Sequence, residues 1–94
     1  ERALKEHGLT PIARIDHLTV TAGDPVIMLM EPIPATRRAL ERSGRKIEDI
    51  DLYEVNEAFA PVPLAWLREI GGNPAKLNVN GGAIALGHPL GMSG

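Results

Sequence analysis

The chain has 94 residues, 44% hydrophobic and 23% charged, with a formal net charge of −2. That composition suits one small globular domain and excludes both a disordered chain and the basic surface that nucleic-acid binding requires. The lack of cysteine excludes disulfides, thiolate metal sites and a cysteine nucleophile within these residues. No apolar run approaches the ~20 residues of a membrane span.

Residues 1–7 are helical in composition, and Gly8 stands where a helix C-terminus favours glycine. Thr10-Pro11 breaks the chain, and the imperfect alternation over 12–20 predicts a strand. His17 in that strand is assigned no role. Residues 22–25, Ala-Gly-Asp-Pro, are turn chemistry. Met28 and Met30 follow in an apolar run and are read as core filling rather than a pocket lining. Pro32 and Pro34 fit the first turn of a helix with Ile33, Ala35, Ala39 and Leu40 on one side and Arg37, Arg38, Glu41 and Arg42 on the other. Gly44 ends it. The pairs Arg37-Arg38 and Arg45-Lys46 are read as solvated faces. Glu48, Asp49 and Asp51 lie in a short connector where nothing completes a metal-ligand set, so no metal site is expected.

A second strand is predicted over 52–55, followed at once by Asn56 and a helical pattern through Ile70. Pro61 and Pro63 require that the regular helix start near Ala60 or that its first turns be distorted. Glycines at 71 and 72 close it, and residues 77–79 form a third strand leading into a glycine-rich stretch. Strand, helix, strand is a βαβ pattern of class α/β, with parallel strands and a right-handed crossover. Asn56 and the loop from Gly81 onward then emerge at one sheet edge, where open α/β sheets bind ligands.

Five of the chain's ten glycines fall between Gly81 and Gly94, flanking His88-Pro89. Proline holds the residue before it extended, which fixes where the imidazole points. Such a histidine can act as a general base or donate to a developing oxyanion. Asn56 can donate to an oxyanion, directly or through a water, or can simply cap the following helix. Glu57 is read first as a helix N-terminal carboxylate favoured by the dipole, and second as acidic machinery. The glycine spacing matches neither a P-loop nor a dinucleotide fingerprint.

Residues 56–59, Asn-Glu-Ala-Phe, and 78–94, Asn-Val-Asn-Gly-Gly-Ala-Ile-Ala-Leu-Gly-His-Pro-Leu-Gly-Met-Ser-Gly, closely resemble two signatures of the thiolase family. The resemblance reaches back to residue 9 through the helix and connector that precede the second strand. It implies a thiolase-like βαβ fragment of a layered αβαβα fold, with all 94 residues belonging to the C-terminal domain and both ends cut. It further implies an acyltransferase that cleaves 3-ketoacyl-CoA with coenzyme A, as in fatty-acid degradation, or runs the reverse Claisen condensation of acetyl-CoA. Coenzyme A and acyl-CoA are then substrates, with no resident cofactor and no metal. The catalytic positions are His88, which would activate a cysteine nucleophile and help form an oxyanion hole, and Asn56, which would hold a water in the same hole. Phe59 and Gly87 stand at substrate-binding positions, Phe59 near the pantetheine and acyl path. A homodimer or homotetramer in the cytoplasm is the expected state of the full-length protein.

Two departures accompany the resemblance. The family's cysteines are not in this chain, so the piece is expected to be inactive alone, and an inactive thiolase-like scaffold or interaction domain is the alternative. Glu31 stands where the family often has glycine, and Met92 where a small residue is common.

Overall fold

The computed structural model describes residues 1–93. Its helices begin and end where proline and glycine dictate. Helices α1 (Arg2–His7), α2 (Pro32–Ser43) and α3 (Pro61–Ile70) each stop at a glycine whose N–H turns back onto a carbonyl of the last turn. Both α2 and α3 open on proline, where the missing N–H would have had no helical partner. Single turns of 3-10 helix follow α2 at Ile47–Asp49 and α3 at Pro74–Lys76. Two four-residue helices, α4 (Ala83–Leu86) and α5 (Leu90–Ser93), occupy the glycine-rich stretch. Of the alternatives left open by Pro61 and Pro63, the structure takes the first: residues 56–60 are not helical, and Ala60 caps α3.

Ile33 of α2, Trp66 of α3, and Tyr53 and Val55 between them form the buried core, with Ile47, Ile50, Leu67, Ile70 and Leu77 packed around it. Trp66 is 4% exposed, a burial worth on the order of 3 kcal/mol. Its ring lies 5.2 Å from that of Tyr53, tilted by 55°. Burying the indole also requires an acceptor for its N–H. Thr36 supplies it: Trp66 Nε1 donates to Thr36 Oγ1 at 2.8 Å, and that hydroxyl donates to the Pro32 carbonyl at 2.7 Å. This relay fixes α3 against α2.

The strands are where the structure departs from expectation. Residues 52–55 and 77–79 meet in the predicted parallel sense, but as a single rung between Tyr53 and Leu77. Tyr53 N–H donates to the Lys76 carbonyl at 2.9 Å, and Asn78 N–H donates to the Tyr53 carbonyl at 2.8 Å. The ladder goes no further because Asn78 turns into the left-handed region, at φ 45°. Its side-chain amide then takes the place of backbone. Oδ1 accepts the Val55 N–H and Nδ2 donates to the Val55 carbonyl, both at 2.9 Å.

The expected strand over 12–20 pairs with nothing among the described residues, and Ile12, Ile15, Leu18 and Val20 are exposed. Alternation marks which side of a strand is apolar, but a strand forms only where a neighbour accepts and donates its hydrogen bonds. Among the described residues, the βαβ expectation is met only as packed helices and loops joined by one parallel rung. Segment 12–20 is tied down instead by Asp16, which receives Arg45, and by the Val20 carbonyl, which accepts from Arg38, so Arg45 is not merely a solvated cation. No helix among the described residues is long and apolar enough to cross a membrane.

Candidate active site

The site grows from the end of the Val55 run. Val55 is buried and doubly bonded to the Asn78 amide, so the chain leaves the core at a fixed point and Asn56 comes out exposed. Asn56 does not cap α3, which begins five residues later. It lines a groove of about 550 Å³ whose opposite wall is the glycine-rich stretch: Gly81, Gly82, Ala83, Leu86, Gly87, Pro89 and Met92. Asn56 and Gly87, far apart in sequence, therefore face one space.

His88 sits between two lining residues, Gly87 and Pro89, and is itself half-buried. Its Nδ1 is buried and has no hydrogen-bond partner among the described residues. Such an atom is costly unless a donor or acceptor reaches it. Gly87 carries the chain from α4 to His88 at φ 98° and ψ 157°, a conformation that is essentially glycine-only. That is the physical need behind this glycine. Phe59 is not brought to the groove: it is 66% exposed and lies outside the groove's lining, on the turn that leads into α3. Met92 does line the groove, as its place beside His88 in the sequence foreshadows.

Glu57 behaves differently from its sequence reading. It is not in the first turn of α3, so the dipole argument fails. Its carboxylate instead crosses to the glycine-rich stretch. Oε1 accepts from Asn78 Nδ2 at 3.0 Å, and Oε2 accepts the Ile84 N–H at 2.9 Å. The Asn78 amide first, and the Ile84 N–H second, hold the Glu57 carboxyl below the ordinary glutamate value, while partial burial works the other way. Gly82 makes the approach possible, because a Cβ there would meet the carboxylate at 2.5–2.8 Å. Asn78 and Ile84 are the partners that sequence reasoning missed, with Gly82 as the residue that lets the carboxylate in. The one signal for them was a glycine pair beside an asparagine that closes a short strand.

Chemically, the groove presents the Asn56 amide, and the His88 imidazole stands in the loop between two lining residues without lining the groove itself; both side chains are of a type that can donate a hydrogen bond to a polarised carbonyl oxygen. The chain belongs to the thiolase family: residues 9–94 match its C-terminal domain, described as "Thiolase, C-terminal domain". It is 65% identical over 94 residues to the steroid 3-ketoacyl-CoA thiolase FadA6 of Mycobacterium tuberculosis, spanning 100% of this chain and 23% of that protein. The crystal structure of human mitochondrial 3-ketoacyl-CoA thiolase matches with a TM-score of 0.89 at 53% identity, over 96% of this chain and 23% of that one. The same human enzyme in complex with CoA matches with a TM-score of 0.87, over 95% of this chain and 23% of that one. The acetyl-CoA acetyltransferase of Bacillus anthracis matches with a TM-score of 0.89 at 47% identity, over 97% of this chain and 23% of that one. The fold is thus thiolase-like, and the chain spans about a quarter of the length of these relatives.

Proposed function

We propose that this chain carries half of the active site of a thiolase-type acyltransferase, acting on 3-ketoacyl-CoA and coenzyme A or, in reverse, condensing acetyl-CoA. The observation that carries the reading is the shared groove, with Asn56 on one wall and Gly87 and Pro89 on the other, the two residues that flank His88. In this reading a cysteine thiolate, supplied from outside these residues, attacks the 3-keto carbonyl. The carbon–carbon bond breaks, and the departing acetyl-CoA enolate takes a proton from an acid that also lies outside these residues. The thiol of coenzyme A then takes the acyl group from the cysteine. His88 accepts the thiol proton and later donates to the thioester oxygen, while Asn56 orients a water toward that oxygen. Gly87 lets the substrate pass close to the backbone. Phe59, exposed on its turn, contacts the pantetheine arm when the rest of the protein covers it.

The layered αβαβα architecture belongs to the same proposal, with segment 12–20 and the Tyr53 rung completed as sheet by the remaining chain. So does assembly as a homodimer or homotetramer. Both rest on likeness to proteins about four times as long.

The test is made in the full-length protein. His88→Ala is expected to lower kcat for thiolysis by about 10²–10⁴-fold, the usual contribution of a positioned acid–base group. Turnover within a few-fold of the unaltered enzyme would end the reading. So would full-length coordinates in which no cysteine sulfur comes within roughly 3–4 Å of the His88 ring.

A further inference from the structure

We propose that Glu57 is a positioning residue: by bridging the Asn78 amide and the Ile84 N–H, it sets where the loop that bears His88 stands relative to Asn56. The inference rests on the acyltransfer reading above and names what holds that site in register.

Three observations converge. First, one carboxylate uses both oxygens on donors from two separate segments, 21 and 27 residues away. Second, helix α4 has only four residues and its capping position is Gly82, which has no side chain to offer. Glu57 supplies from across the groove the acceptor that an N-cap side chain would otherwise supply. Third, the glycine at 82 leaves room for that carboxylate, since a Cβ there would lie 2.5–2.8 Å from its atoms. Asn56 and Glu57 are adjacent, so the same short piece of backbone that presents the amide to the groove also grips the opposite wall. Cutting the grip frees the wall at Ile84, four residues before His88. A misplacement of about 1 Å in a catalytic group costs on the order of 100-fold in rate.

The experiment uses the full-length protein with acetoacetyl-CoA and coenzyme A as probes. Both partners of Glu57 are donors, and the glutamine in Glu57→Gln keeps one acceptor oxygen, so one contact is always lost. Glu57→Gln is expected to lower kcat by about 10–100-fold, with KM for coenzyme A within about twofold and cooperative unfolding retained. Gly82→Ala keeps the Glu57 carboxylate in the chain but displaces it from the loop, because the added Cβ would meet it at 2.5–2.8 Å, and is expected to reproduce the same split between kcat and KM. If Glu57→Gln does not fold, Gly82→Ala decides alone. A kcat within twofold of the unaltered enzyme in either folded variant overturns the proposal, as does a parallel rise in KM with loss of cooperative unfolding. His88→Ala, assayed alongside, separates the two failures. If it stays active, the acyltransfer reading has failed; if it is inactive while Glu57→Gln is fully active, only the positioning role has failed.

Discussion

Asn78 offers the sharpest test of how this site is built, because a single side chain stands in for a missing stretch of sheet. Asn78→Ala removes the two amide hydrogen bonds to the Val55 backbone, both 2.9 Å; it also removes the bond to Glu57 Oε1 at 3.0 Å, which holds the glycine-rich loop rather than the Val55 backbone. Each of the two Val55 bonds is neutral and partly buried, worth about 1 kcal/mol. The substitution also leaves an alanine at φ 45°. Asparagine tolerates the left-handed region, whereas an ordinary side chain there costs about 1 kcal/mol. The loss is therefore about 3 kcal/mol, which corresponds to about 100-fold in a local opening equilibrium. Asn78→Gly removes the same bonds but adopts the left-handed angle freely, so its loss is about 2 kcal/mol. Amide hydrogen exchange on the intact protein reads this directly. The Val55 N–H should lose protection by about 100-fold in the alanine variant and about 30-fold in the glycine variant. The Tyr53 N–H, held by the Lys76 carbonyl, should change far less. Unchanged Val55 protection in either variant would refute the amide-for-backbone reasoning. Equal losses in the two would refute the part that concerns φ.

Two further outcomes follow from neighbouring contacts. Thr36→Val keeps the shape of the α2 contact but strips the acceptor from the buried Trp66 N–H, at a cost of about 1–3 kcal/mol; Thr36→Ser, which keeps the hydroxyl, should cost less than half as much, and denaturant unfolding that ranks the two the other way would discount the relay. Because the folded-state pKa of Glu57 is lowered, its contribution to stability is fully present above the ordinary value of 4.5 and is lost as pH falls through the lower folded value. The Ile84 amide chemical shift should therefore titrate with an inflection below pH 4.5, and an inflection above it would contradict the bond to Oε2.

Helix positions were legible from the sequence because proline and glycine act locally. Pro32 opens α2 and Pro61 opens α3, the latter being one of the two readings its position allowed, and Gly8, Gly44 and Gly71 close the helices before them. The meeting of Asn56 with the glycine-rich loop was legible too, since a parallel crossover brings the ends of its strands to the same edge. The character of that edge was not. Alternation over 12–20 predicted a strand, but hydrogen bonding between strands is a property of two segments, and no described residue pairs with this one.

Glu57 shows the same limit at the scale of one side chain. From the sequence it was a carboxylate near a helix start, and the local dipole was the only partner in view. Its actual partners lie 21 and 27 residues away, and they become partners only because Asn78 turns left-handed and Gly82 has no Cβ. Composition and motif thus pointed by themselves to helices α1 to α3, though not to α4, to the family and to the two residues on which the chemistry is proposed to turn. Tertiary structure alone decided which groups hold those residues in place, because a hydrogen bond across the groove depends on distances set by packing rather than by neighbours along the chain.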